Sequence, residues 1–313
     1  MSAEVNRAAA GAAEDEAAAR IAAIERAIQE DVGRNTAPLF AAAAGGLYET
    51  ASVLAFAEAP SVGLITGFFV PRGRPPAPET DGPVGAALLA AGLAAVGIPS
   101  RLATDTICRE GCAAALAAAG VPDVPIDAAE PGKRPGPQTE AWREAGITLA
   151  LAVERCGPGR DGVPRNMRGT DLSAWTAPLH LLFEAGPWLR LAIGDGGNEI
   201  GMGLLPEGLV ARHVTHGETI ACVTPAQHLI AAGVSNWGCY GLLAALAVLR
   251  PDWRAALLTV LTVAREQAVL AGMVEAGPAV DGVTGRRECT VDGLPAARHT
   301  AKLAAVRALV PPP

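Results

Sequence analysis

Apolar positions along this chain follow two rhythms. Ile21, Ile24, Ala27 and Ile28 share one face at helical spacing, with Arg20, Glu25, Arg26 and Glu30 elsewhere, which predicts an amphipathic helix laid on a larger body. Residues 1–35 therefore read as an N-terminal helical segment packed on a domain formed by residues 36–313. Residues 38–58, small and apolar around Gly45 and Gly46, predict a second, closely packed helix. Short apolar runs predict strands at 62–65, 100–104, 123–126, 147–153, 191–193 and 219–223, the fourth nearly continuous in apolar residues, as when both faces are covered. Between and after them lie helical stretches: the Ala/Leu-rich run after Pro83, then 110–119, 239–249 and 253–271. Strands alternating with helices predict an α/β fold, a predominantly parallel sheet with helices on both faces.

In such sheets ligands gather beyond the carboxyl ends of the strands. Thr66 and Gly67, Glu154 and Arg155, and Asp195 each follow a predicted strand directly. If the strands are parallel, these positions open onto one cleft, and the loop from Glu79 through Asp81 to Gly82 lies close enough to join it.

The densest chemistry is in LAIGDGGNEIGMG, residues 191–203, where an apolar run meets glycines at 194, 196, 197, 201 and 203 with Asp195, Asn198 and Glu199 among them. Glycine at such density serves tight turns or close backbone approach to a ligand. Acids in the turn are either helix caps or ligands for something cationic. Counting GxGxxG from Gly194 places Glu199 at the third glycine, so this is no dinucleotide fingerprint, and GxxxxGK[ST] does not occur. No nucleotide cofactor is expected. The long polar loop 156–173 carries Asn166 and Arg168; loops of this length are commonly binding loops or lids, and Arg168 could hold a carboxylate or phosphate. Asn236 stands at the start of the 239–249 helical stretch, as a cap or a ligand. His213 and His216 have no third ligand nearby and do not make a zinc site.

Composition narrows the functions. With 313 residues the chain can bury a large core, yet only 4% are aromatic, so that core must be built from Ala, Val and Leu. A net charge of −7 disfavours nucleic acid, which needs a basic surface. Six scattered cysteines without a CxxC pair suit reduced thiols. Neither a signal peptide nor an apolar stretch long enough for a bilayer is legible, so the expectation is a soluble, cytoplasmic protein with no membrane partner. The expected partner is a small anionic substrate, with a homo-oligomer as a further expectation.

Several motifs together resemble the D-glutamate cyclase C-terminal domain family: TGF at 66–68, ETDGP at 79–83, ER at 154–155, NMRG at 166–169, GDGGNEIGMG at 194–203 and AGVSNWGCYGL at 232–242. Pro164 and Arg165 replace a tyrosine pair usual in that family. The resemblance implies closure of D-glutamate to 5-oxo-D-proline, in which an amine attacks its own side-chain carboxylate. That carboxylate needs its charge neutralised, which a hard divalent cation does as a Lewis acid. The implied site has Asp81, Asp195 and Glu199 holding Mn2+ or Mg2+, with Glu79 and Glu154 as further candidate ligands. Glu154 would be the base, Arg155 or Arg168 the carboxylate clamp, and Gly196 and Gly197 an oxyanion site. Asn198 would assist catalysis, and Thr66, Gly67, Asn166 and Asn236 would line the substrate. Two alternatives stay open: a metal-dependent phosphohydrolase, because GDGGNE resembles the GDGxND turn of haloacid-dehalogenase-type phosphatases although no DxDx[TV] motif is present, and a non-catalytic small-molecule binding protein.

Overall fold

Six strands form one wholly parallel sheet in the computed structural model, which describes residues 2–313. They are β1 (Val62–Ile65), β2 (Ser100–Asp105), β3 (Ile126–Ala129), β4 (Leu149–Val153), β5 (Leu189–Gly194) and β6 (His228–Ala231). Their spatial order is β3-β2-β1-β4-β5-β6. The chain winds outward in one direction from β1 and in the other from β4, so the order reverses between these two neighbours.

Side-chain size along the strands assigns the two faces. Leu64, Leu151, Val153, Leu191 and Ile193 enter a large core with the helices Pro83–Ala95 and Ser235–Leu249. Both helices are buried almost all round, which their uninterrupted apolar sequences require. Ile21, Ile24 and Ile28 of the N-terminal helix Ser2–Ile28 enter the same core. The intervening positions Ala103, Ala150, Ala152 and Ala192 face a second core, where their small size leaves room for Trp142 and Trp188, packed edge to face at 5.4 Å. A Cβ at Gly63 would lie 2.4 Å from the Trp142 ring, so this ring packs directly on the strand backbone.

Some elements differ from their sequence pattern. Residues 38–58 are two helices, Ala37–Ala42 and Gly46–Phe56, broken at Gly45, where φ is 89°. The buried Glu25 carboxylate accepts the N–H groups of Gly45 and Leu47, each at 2.9 Å, and secures that break. The long helix expected over 253–271 breaks at Leu261–Thr262, where the Thr262 hydroxyl caps the next helix, Val263–Ala271. The third strand starts at Ile126, only the last residue of 123–126. No strand forms at 219–223. Its first residues belong to the short helix Gly217–Ile220, and the N–H groups of Cys222 and Val223 donate to Gly197 and Pro158 in the loops above the sheet. The ladder position beside β5 goes instead to β6. Among the described residues no single helix is long and apolar enough to cross a membrane.

One buried acid in the large core makes stability depend on pH. Burial raises the Glu266 pKa from 4.5 to about 7, against the Tyr240 hydroxyl, which donates at 3.3 Å and lowers it. The fold thus favours the protonated carboxyl: its contribution is complete below the ordinary value of 4.5 and is lost as pH rises through about 7. Between about pH 5 and about pH 8, Glu266→Gln is expected to gain on the order of 3 kcal/mol relative to the wild type. Urea denaturation of both proteins at the two pH values measures it.

Candidate active site

The carboxyl ends of β1, β4 and β5 meet where the strand order reverses, the position at which an open α/β sheet leaves a crevice. Thr66 leaves β1, Glu154 leaves β4 and Asp195 leaves β5. After β1, Phe69–Val70 pairs antiparallel with Ala77–Pro78. This small ribbon folds the chain back, so that Glu79 and Asp81 return over the strand ends.

Two helix N-termini lock that return in place by capping each other. Asp81 accepts the N–H groups of Ser235 (3.0 Å) and Asn236 (2.8 Å) at the start of the Ser235–Leu249 helix. In exchange, the Asn236 side chain accepts from Gly82 (3.0 Å) and Gly85 (2.7 Å) at the start of the Pro83–Ala95 helix. Each cap satisfies donors that would otherwise be orphaned in the interior. The DGP and VSN motifs are therefore one unit. Gly82 has φ of 89°, and a Cβ there would lie 2.8 Å from both Glu154 Cβ and Thr66 Oγ1, so only glycine fits this junction. Ser235 also donates its hydroxyl to Glu154 at 2.6 Å. Glu154 itself holds φ of 42°, a conformation few residues other than glycine adopt.

Asp81, Glu154 and Asp195 come together so closely that one carboxylate oxygen from each lies within 4.8 Å of the others. All three are buried, and burial pushes their pKa values up, that of Asp195 to about 6. Glu79 and Asp292 stand in the same acidic group; burial raises both, Asp292 to about 6. Arg34 answers part of this charge, contacting Asp195 at 2.5 Å and Asp292 at 2.6 Å. Asp31 presents Arg34 by accepting the N–H groups of Gly33, Arg34 and Thr36. Of these groups, Arg34, Glu79, Glu154, Asp195 and Asp292 line a cleft of about 220 Å³, together with Phe68, Asn166, Met167, Arg168 and Asn198, and Asp81 lies behind Glu154 and Asp195. Two buried acceptors here, Asp195 Oδ2 and Asn198 Oδ1, have no hydrogen-bond partner among the described residues. Buried acceptors are normally paired, so both mark a place where a cationic or donor group belongs.

Other residues expected at the site have different work. The Glu199 carboxylate turns inward and accepts from the N–H groups of Asp195 (2.8 Å), Gly196 (2.5 Å) and Gly197 (2.6 Å). It closes the glycine turn on itself, which takes Glu199 away from the acid triad and uses the two N–H groups expected at an oxyanion. Arg155 is only 1% exposed and does not reach the cleft as a clamp. It pairs with Asp105 at the end of β2 and donates to Gly67 and Ala177 carbonyls, each at 2.7 Å. Gly67 is thus a backbone anchor for Arg155. Thr66 Oγ1 is buried with no partner among the described residues. Asn166 accepts from the N–H groups of Arg168 and Thr170, each at 3.0 Å, shaping the turn that presents Arg168 at the mouth. Arg34 and Asp292 carry no signal in the sequence beyond a VDG turn at 291–293.

A profile of the family described as D-glutamate cyclase-like, C-terminal, matches residues 24–307. The chain belongs to this family. It is also 33% identical to the D-glutamate cyclase, mitochondrial, of Homo sapiens over 215 residues, which is 63% of this chain and 34% of the relative. The match therefore spans about a third of the length of that protein. Within the family segment lie all the residues of the acid group and Arg34. The motifs that carry the resemblance are those that build the cleft: ETDGP and AGVSN cap each other, ER supplies one acid and its buried neighbour, NMRG forms the mouth, and GDGGNE supplies Asp195 on its self-closed turn.

Proposed function

We propose that this chain is a D-glutamate cyclase-like lyase, which closes D-glutamate to 5-oxo-D-proline with loss of water and uses a divalent cation, Mn2+ or Mg2+. The observation that carries this reading is the buried triad of Asp81, Glu154 and Asp195 with the orphaned Asp195 Oδ2. An all-oxygen donor set with no imidazole or thiolate suits a hard cation. Glu154 then serves as a ligand, and the proton-carrying role passes to Glu79. A bound cation would neutralise the side-chain carboxylate of the substrate and make its carbon electrophilic.

The chain's own residues manage the amine. Asn198 Oδ1, lining the cleft without a partner among the described residues, accepts from the substrate ammonium. Glu79, on the same wall, takes a proton from that nitrogen. The freed amine forms a bond to the side-chain carboxyl carbon, and one C–O bond breaks. Two ammonium protons and the departing oxygen leave as water, with Glu79 accepting and returning each proton. Ring closure is intramolecular, so positioning costs little entropy and the obstacle is electrostatic.

Incubation of the purified chain with D-glutamate, L-glutamate and a phosphate ester, with and without EDTA, tests the assignment. The expected result is 5-oxo-D-proline from D-glutamate, abolished by EDTA and restored by Mn2+. Release of inorganic phosphate would instead make the chain a metal-dependent phosphohydrolase, and ligand binding without turnover would make it a small-molecule binding protein.

A further inference from the structure

The cleft is bipolar. Beyond Glu79, whose carboxylate packs against Gly282, two arginines meet at the mouth, although they come from loops almost a hundred residues apart. Arg72 donates through one nitrogen to the carbonyls of Gly282 and Val283, each at 2.9 Å, and Arg168 donates to the same Val283 carbonyl at 3.2 Å. Two guanidiniums on one acceptor are close neighbours, and burial together with the Arg72 charge lowers the Arg168 pKa, against a smaller opposing effect of the Glu79 carboxylate. Their side-chain hydrogen bonds among the described residues go to backbone carbonyls alone, and the Glu79 carboxylate acts on Arg168 without an ion-pair contact.

The platform they rest on is rigid. Asp281, fully buried, accepts from Val283 (2.8 Å) and Thr284 (2.7 Å) with one oxygen. With the other it accepts from Gly293 and the Thr290 hydroxyl, both at 2.7 Å. The two VDG turns are thereby tied together: one carries the arginines' shared carbonyl, the other carries Asp292 into the acidic floor. Two like charges held side by side at the mouth of a pocket are costly unless an anion bridges them.

We infer that Arg72 and Arg168 form a two-pronged clamp for the α-carboxylate of the substrate, holding its amine and side-chain carboxylate toward the acidic floor. This rests on the D-glutamate reading and specifies its recognition: a short amino dicarboxylate enters with one carboxylate at each pole. The reacting carboxylate is the one distant from the arginines. A guanidinium contact at an open rim is worth about tenfold in affinity.

Calorimetric titration of the Mn2+-loaded protein tests the clamp with three probes: D-glutamate, 5-oxo-D-proline, which keeps only the α-carboxylate, and the α-amide of D-glutamate. The wild type is expected to bind both acids and to bind the α-amide far more weakly. Arg72→Met and Arg168→Met should each weaken both acids by about tenfold, leave the α-amide unchanged, and preserve Mn2+ affinity and thermal midpoint. Unchanged affinity for the acids, an equal loss for the α-amide, or a wild type that does not distinguish acid from amide or binds neither acid would overturn the clamp. The expected affinities without any ring product would sink the cyclase chemistry and leave the clamp standing.

Discussion

Asp195→Asn is expected to abolish Mn2+-dependent stabilisation and to lower ring formation by about a thousandfold or more. The amide has the shape of the carboxylate, so packing around the glycine turn is retained, and the three N–H bonds to Glu199 do not involve the altered side chain. What changes is charge. The orphaned Oδ2 loses its anionic character, and the donor set falls from three carboxylates to Asp81 and Glu154. Arg34 keeps its contact with Asp292. In the wild type, a cation at about a hundred times its Kd contributes about 2.7 kcal/mol, a rise in Tm of about 5 °C for a domain of this size. In the variant that rise should vanish while the metal-free Tm stays close to that of the wild type. A variant that still shifts with Mn2+ would show that Asp195 holds no cation.

Arg155→Met is expected to cost about 3–5 kcal/mol of folding stability, the usual penalty for stranding one member of a buried ion pair. Arg155 and Asp105 are each 1% exposed and share two contacts, and Asp105 also accepts the Ala177 N–H at 2.6 Å. Removing the guanidinium leaves a carboxylate in the interior with one backbone donor and a distant thiol. It also frees the carbonyls of Gly67 and Ala177. The pair therefore ties the end of β2 to the end of β4 and to the turn after β1, directly beneath the acid triad. Replacing both partners, Arg155→Met with Asp105→Leu, should recover most of the loss, because two apolar side chains leave no stranded charge. Urea denaturation of the two single variants and the double variant measures the coupling. A single variant as stable as the wild type would refute it.

Local pattern along the chain encodes one part of this site and leaves the other to the fold. The runs VGLI and LALAV are apolar because both of their faces are covered, and covered strands alternating with helices can only build a parallel sheet between helical layers. The residues just after the parallel strands, Thr66, Glu154 and Asp195, then had to share one end of the sheet, since parallel strands all point the same way, and the loop that carries Asp81 was short enough to reach them. Thus Asp81, Glu154 and Asp195 were legible as neighbours from their place in the chain. The strand at His228–Ala231 was not, because four residues of mixed size carry little periodicity, while the β-branched run at 219–223 carried more and was drawn into the loops.

The partner of each buried polar group was the part no pattern could supply. Glu199 and Asp195 lie in the same turn, four residues apart, yet Glu199 closes the turn while Asp195 faces the cleft. Arg155 is adjacent to Glu154 but points to Asp105, and Arg34 reaches Asp195 from across the chain. Burial is written into composition residue by residue, so sequence determines which elements form and which face they hide. Pairing depends on which distant side chains arrive at the same point once strand order and helix ends are fixed, and only the folded chain decides that.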